Sequence, residues 1–141
     1  MAFAGVNYQA VVIAGTAAWV TGAVYYGIFG KPWLAALGRT REDIAPARGT
    51  PAFYLPFVLA MIANLIMAGV LAGIVGHLGP GRVTLLNGII SAVFVWLGFV
   101  VTTMAVNNAF GGRKAMLTVI DSGHWLAALV VAGAVIGFVG V

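Results

Sequence analysis

The chain has 141 residues, of which 62% are hydrophobic and 7% charged, with a mean hydropathy of +1.09 and a formal net charge of +4. Soluble domains are about one quarter charged, so this composition excludes an ordinary water-soluble fold and predicts an all-α chain in a membrane. The absence of cysteine removes disulfides and thiolate chemistry, and the seven basic residues form no aromatic-interleaved stripe of the kind that binds nucleic acid.

A transmembrane helix needs roughly 20 mostly apolar residues, and four runs qualify, so a four-transmembrane-helix bundle in a single transmembrane domain, 1–141, is predicted. The first covers about 7–29. The segment before it, MAFAGVNYQ, lacks a positive n-region, so a cleaved signal peptide is not expected. Ala10, Ala14, Ala18 and Gly22 recur along this span at four-residue spacing, the small-residue pattern that lets membrane helices approach closely. Trp19 stands near its middle.

The first loop begins at GKPW. Pro32 suits a first helical position and Gly38 a stop, with Trp33, Leu34 and Leu37 apolar between them, which predicts a short interfacial helix over KPWLAALG. In TREDIAP, Thr40 is placed to cap a second short turn, with Asp43 at the third position of a capping box.

The second span, about 52–76, repeats the small-residue stripe at Ala60, Ala68, Ala72 and Gly76, with Asn64 taking one place in it. HLGPGR then breaks the chain. The third span, about 85–109, centres on Trp96 and ends at FGGRK. Trp19, Asn64 and Trp96 fall at similar depth, which predicts a midplane hydrogen-bonded layer among them.

The fourth span, about 118–141, carries Gly133 and Gly137 and has an ambiguous beginning. A helix starting at Ser122 makes Asp121 its N-cap. A helix starting near Met116 instead puts Asp121 and His124 on one face, up to about 10 Å inside the boundary. At that depth the sequence also places Tyr25 and Tyr26, Thr102, Thr103, Asn107 and Asn108, with Lys31, Arg113 and Lys114 just beyond. These residues are expected to line one cytoplasm-facing cavity. The candidate ligand- or ion-binding residues are therefore Asp121, His124, Asn64, Asn107, Asn108, Tyr26 and Arg113, because an ionisable group inside a span is a functional-site hypothesis.

Basic residues set the expected orientation. Lys31, Arg39, Arg41 and Arg48 lie in the first loop and Arg113 and Lys114 in the third, against Arg82 alone in the second. Basic loops stay cytoplasmic, so both termini are expected outside. His77 and His124 then fall on opposite sides and cannot share a metal, and no catalytic, cofactor or metal motif is recognisable.

WVTGAVYYGIFGKPW in the first span, and VWLGFVVTTMAVNNAFGGRKAMLTVIDSGHWLAALVVAGAVIGFVG across the last two, resemble the DUF1761 family of small bacterial membrane proteins. The resemblance implies four spans in a bacterial cytoplasmic membrane and no established reaction. Family members typically carry an acidic residue after the Phe of the Asn-x-Phe-Gly-x-Arg joint, where this chain has Gly111 and Gly112. If that acid works in relatives, its job is either vacant here or done by Asp121.

Two functions are expected to compete. One is an oligomeric permeation unit or transporter for protons or a small solute, using Asn64 and the Asp121/His124 cluster. The other is a non-catalytic accessory or scaffold subunit docking another membrane protein or lipid through its small-residue stripes and basic first loop. A membrane enzyme with His124 as acid/base ranks behind both. Expected partners are membrane lipids and a second copy or a partner membrane protein.

Overall fold

The computed structural model describes residues 5–141. Five helices are named here: α1 (Tyr8–Leu37), α2 (Arg41–Ile44), α3 (Pro51–Gly76), α4 (Leu85–Phe110) and α5 (Ala115–Val139). Four of them, α1, α3, α4 and α5, are long and apolar enough to cross a membrane, and no strand occurs among the described residues.

Local chemistry sets most helix ends. The Asn7 side chain accepts from the Ala10 N–H at 3.1 Å, Thr50 from Phe53 at 3.3 Å and Thr84 from Asn87 at 3.2 Å, so three of the four spans open with a side-chain cap. Gly38 ends α1 in the left-handed region at φ 71°, and the Arg39 N–H donates back to the Leu34 carbonyl at 2.9 Å.

The chain does not break at GKPW. α1 runs for 30 residues straight through Pro32, so KPWLAALG is the continuation of the first span and not a separate short helix. Proline leaves the Ile28 carbonyl without its usual donor, yet docking holds the extension in place. Leu34 is buried, the Trp33 ring stacks edge-on against Tyr26 at 5.5 Å, and Lys114 Nζ donates to the Ala35 carbonyl at 3.4 Å. A helix of this length measures about 45 Å, more than a hydrocarbon thickness of about 30 Å.

The predicted capping box is present at α2. The Thr40 N–H donates to Asp43 Oδ2 at 2.7 Å and the Asp43 N–H returns to Thr40 Oγ1 at 3.4 Å. The Thr40 backbone N–H, and then its hydroxyl, hold the Asp43 carboxyl below the ordinary aspartate value. A depressed carboxylate stabilises the turn above its unfolded value, and that support is lost as pH falls through the lower folded value. The Thr40 amide proton is therefore expected to titrate with a midpoint below that of a model aspartate, and in Asp43→Asn this titration should disappear. A midpoint at or above the model value contradicts the box.

α5 is the organising helix, packed along α1 on one side and α4 on the other, with α3 laid against α1 and α5. The small-residue stripes make these contacts. Ala10, Ala14, Ala18 and Gly22 of α1, Ala68 and Ala72 of α3, and Gly133 and Gly137 of α5 are all buried within the protomer. A Cβ on Gly15 would fall 2.8 Å from Leu65 Cδ2, and one on Gly88, Gly133 or Gly137 would strike the backbone of the facing helix.

The bundle is tight at one end and loose at the other. Buried residues in α3 begin only at Asn64, and in α4 they are Gly88 and Ala92. From Trp96 to Val101 the α4 backbone widens into a π-helical segment, and no residue of this segment or of Thr102–Phe110 is buried. α3 and α4 approach each other near the second loop and diverge towards the first and third loops.

Candidate functional site

The space left at the loose end is a cavity of about 630 Å³. α1 contributes Trp19, Gly22, Tyr26 and Trp33, α3 contributes Phe57, Ala60 and Asn64, α4 contributes Met104, and α5 contributes Asp121, His124 and Trp125. Helical spacing explains the grouping. Trp19, Tyr26 and Trp33 are seven apart on α1, and Asp121, His124 and Trp125 sit at i, i+3 and i+4 on α5, so each set shares a face.

α5 begins at Ala115 behind Lys114, which makes no side-chain cap. Asp121 is therefore not an N-cap. It lies six residues inside the helix, about 9 Å along its axis, and its Oδ1 accepts from the Tyr26 hydroxyl at 2.5 Å. An oxygen-to-oxygen distance this short is characteristic of a hydroxyl donating to a carboxylate.

The histidine is held differently. His124 is 7% exposed and its Nδ1 has no hydrogen-bond partner, so the carboxylate is bonded by Tyr26 and the imidazole is not its donor through that nitrogen. The ring packs against Trp125 at 4.7 Å, Tyr26 at 4.9 Å and Tyr25 at 5.8 Å. Reciprocal glycines make room for it. A Cβ on Gly22 would sit 2.6 Å from His124 Nε2, and one on Gly123 would sit 2.6 Å from the Tyr25 hydroxyl, which donates to the Ile120 carbonyl at 2.8 Å. Trp33 Nε1 is a second buried polar atom without a partner at this site.

The sequence-predicted residues separate into two groups. Asp121, His124, Tyr26 and Asn64 come together around the cavity. Asn107 and Arg113 are exposed and do not line it, and Asn108 is turned to Thr118, donating to its Oγ1 at 2.9 Å. Thr102 and Thr103 are also exposed, the former bonded to its own helix at the Gly98 carbonyl.

The expected midplane layer does not form as one network. Trp19 Nε1 donates to the Phe57 carbonyl at 3.0 Å, Trp96 Nε1 to the Ser122 carbonyl at 2.7 Å, and Asn64 Nδ2 to the Ala60 carbonyl of its own helix at 2.8 Å. Each indole reaches a backbone carbonyl of a neighbouring helix because that acceptor lies closer than a side chain two helices away. Asn64 is nonetheless 4% exposed and faces the cavity, where its amide oxygen has no partner among the described hydrogen bonds.

Trp33, Trp125, Phe57 and Met104 also line the site, beyond the residues expected from the sequence. The seven-residue spacing of Trp19, Tyr26 and Trp33 was a readable sign for the first of them. His77 stands at the opposite end of the bundle, bonded through Nδ1 to the Gly73 carbonyl at 2.6 Å, and no cluster of three His, Asp or Glu side chains suited to a metal occurs among the described residues.

No curated protein and no solved structure matches the chain. The DUF1761 profile, described as a protein of unknown function, matches residues 9–137, which takes in every residue of the cavity and all but the outermost residues of the four apolar helices. The chain belongs to the DUF1761 family.

Proposed function

We propose that the protein is a small membrane transport or permeation unit in which Asp121 takes up and releases a proton or a small solute inside the bundle. One observation carries this reading: a single carboxylate, bonded only by the uncharged donor Tyr26, faces a cavity of about 630 Å³ that no lysine or arginine lines. Asp121 is half-buried in a largely apolar wall with no lysine or arginine to pair with, so a cationic guest is its electrostatic complement. A residue kept only for packing gains nothing from that arrangement.

The uneven distribution of lysine and arginine supports placing the first and third loops in the cytoplasm, where they meet anionic headgroups. The cavity then lies in the inner half of the bundle, with the close Gly88/Gly133/Gly137 contact on its outer side. The accessory reading has less support, because most of the small-residue stripe positions that favoured it, all but Ala60 and Gly76, are buried by packing within the protomer.

Flux in proteoliposomes tests the proposal. Asp121→Asn keeps the side-chain shape and an acceptor for Tyr26, and it should reduce proton or solute flux to the level of protein-free liposomes. Asn64→Leu should lower flux severalfold. Unchanged flux in both variants removes these residues from the mechanism and the transport reading with them.

A further inference from the structure

We infer that the guest of this cavity is a hydrophobic organic monocation that reaches it sideways from the lipid, through the gap between α3 and α4. The inference rests on the cavity being a binding site, as proposed above, and adds the chemical class of the ligand and its route.

Volume argues first. A proton alone needs no chamber, whereas about 630 Å³ falls in the range of sites that enclose small organic molecules. Charge argues next. Asp121 is the only carboxylate in the wall, which carries no lysine or arginine and has His124 as its one imidazole, so an anionic guest is repelled and a dication is left with one charge unmatched. A monocation is the complement.

The remainder of the wall matches the rest of such a molecule. Trp19, Tyr26, Trp33, Phe57 and Trp125 present aromatic surface around the carboxylate. Aromatic faces attract cations through the ring quadrupole and also cover apolar substituents, a combination that suits an ammonium or phosphonium bearing hydrocarbon groups. A small hydrated metal ion lacks the apolar surface to use these rings, and among the described residues no cluster supplies it with further ligands.

The route follows from the splayed helices. On α3, the turns from Pro51 to Ala63 contain no buried residue, and Tyr54, Leu55, Phe57, Val58 and Leu59 are between 47% and 57% exposed. Facing them, the Trp96–Phe110 part of α4 also contains none, and Met104 is its one side chain lining the cavity. Phe57 and Met104 therefore flank a lateral opening at the depth of the acyl chains. An amphiphilic cation already concentrated in the bilayer passes this way without crossing the basic end of the bundle, where Lys31 of α1, Arg113 and Lys114 repel it.

The experiment uses two ions of nearly the same shape and opposite charge, tetraphenylphosphonium and tetraphenylborate, titrated into the full chain in nanodiscs with empty nanodiscs as the background. Saturable tetraphenylphosphonium binding is expected, at least about tenfold tighter than tetraphenylborate. Asp121→Asn should weaken the phosphonium about tenfold and narrow the gap between the two ions. Trp33→Leu should weaken it about fivefold while Trp33→Phe, which keeps an aromatic face, restores most of the loss. Met104→Trp, which narrows the lateral opening, should slow association more than it changes affinity.

Equal binding of the two ions, or an Asp121→Asn variant that binds the phosphonium as well as the parent, overturns the inference. So does the absence of saturable binding, even if Asp121→Asn still abolishes proton flux; the transport proposal survives that outcome. Saturable, Asp121-dependent binding with no flux of either ion or proton does the reverse, sustaining the ligand class and removing transport.

Discussion

Gly133→Ala is expected to unfold or open the bundle, lowering stability by about 3 kcal/mol. The added Cβ meets the Gly88 carbonyl oxygen and carbon and lies 3.0 Å from the Ala92 Cβ. Two of these three are backbone atoms of α4, which no rotamer change can move, so α4 and α5 must separate along their tightest contact. Gly88→Ala and Gly137→Ala should behave alike, since they meet the backbone of Gly133 and of Thr84 and Leu85 respectively. Alanine at other glycines provides the control. At Gly69 the nearest atom to an added Cβ is Val11 Cγ1 at 3.8 Å, and at Gly98 none lies within 4 Å. These two substitutions should leave thermal unfolding in detergent near the parent value or raise it, because alanine is the better helix former. Loss of stability at all five positions alike would mean that helix approach at 88, 133 and 137 is not specially close.

The contrast between those glycines marks what the sequence discloses and what it withholds. Hydropathy sets depth, and the Asn and Thr caps and Gly38 set helix ends, because each depends on residues within one or two turns. Direction around the helix axis is different. Asn107, Thr102 and Thr103 have the depth expected of cavity residues, yet they face away. The π-helical segment Trp96–Val101 puts an extra residue into a turn, which rotates everything after it by roughly 100° relative to a face counted at constant pitch. No residue type in WLGFVV announces that rotation.

The ambiguous beginning of α5, and the end of α1 that the sequence places near residue 29, turn on a related point. AMLTVI is apolar and uncapped, so the choice between a helix from Ala115 and one from Ser122 depends on whether Leu117 and Ile120 find a surface to bury against, and both do. Pro32 reads locally as a helix start. It is instead carried inside α1 because Trp33 and Leu34 dock beyond it, and docking is a tertiary fact. Asp121 is legible as a residue of interest from its chemistry and Tyr26 from its depth, whereas the hydrogen bond that joins them across 95 positions follows only once α1 and α5 lie side by side.

Gly22→Leu is expected to abolish ligand binding at the cavity while leaving the bundle folded. Gly22 faces His124 as Gly133 faces Gly88, but the atom met by its Cβ is His124 Nε2, at 2.6 Å, the far end of a side chain. An imidazole can swing away where a backbone cannot, so Gly22→Ala should cost only about 1 kcal/mol, partly offset by the gain in helix propensity. Leucine adds three more carbons, and because Gly22 lines the cavity between Trp19 and Tyr26, those carbons occupy the space beside Asp121. The displaced imidazole, whose centroid is 4.9 Å from the Tyr26 ring, also presses on the donor that holds the carboxylate. Phosphonium binding and thermal unfolding measured on the same nanodisc or detergent preparations separate the two effects. Binding should fall by a few fold in Gly22→Ala and beyond detection in Gly22→Leu, with unfolding far less affected than in Gly133→Ala. If Gly22→Leu binds as the parent does, the ligand does not sit between α1 and α5, and the carboxylate at 121 serves the packing of the helices alone.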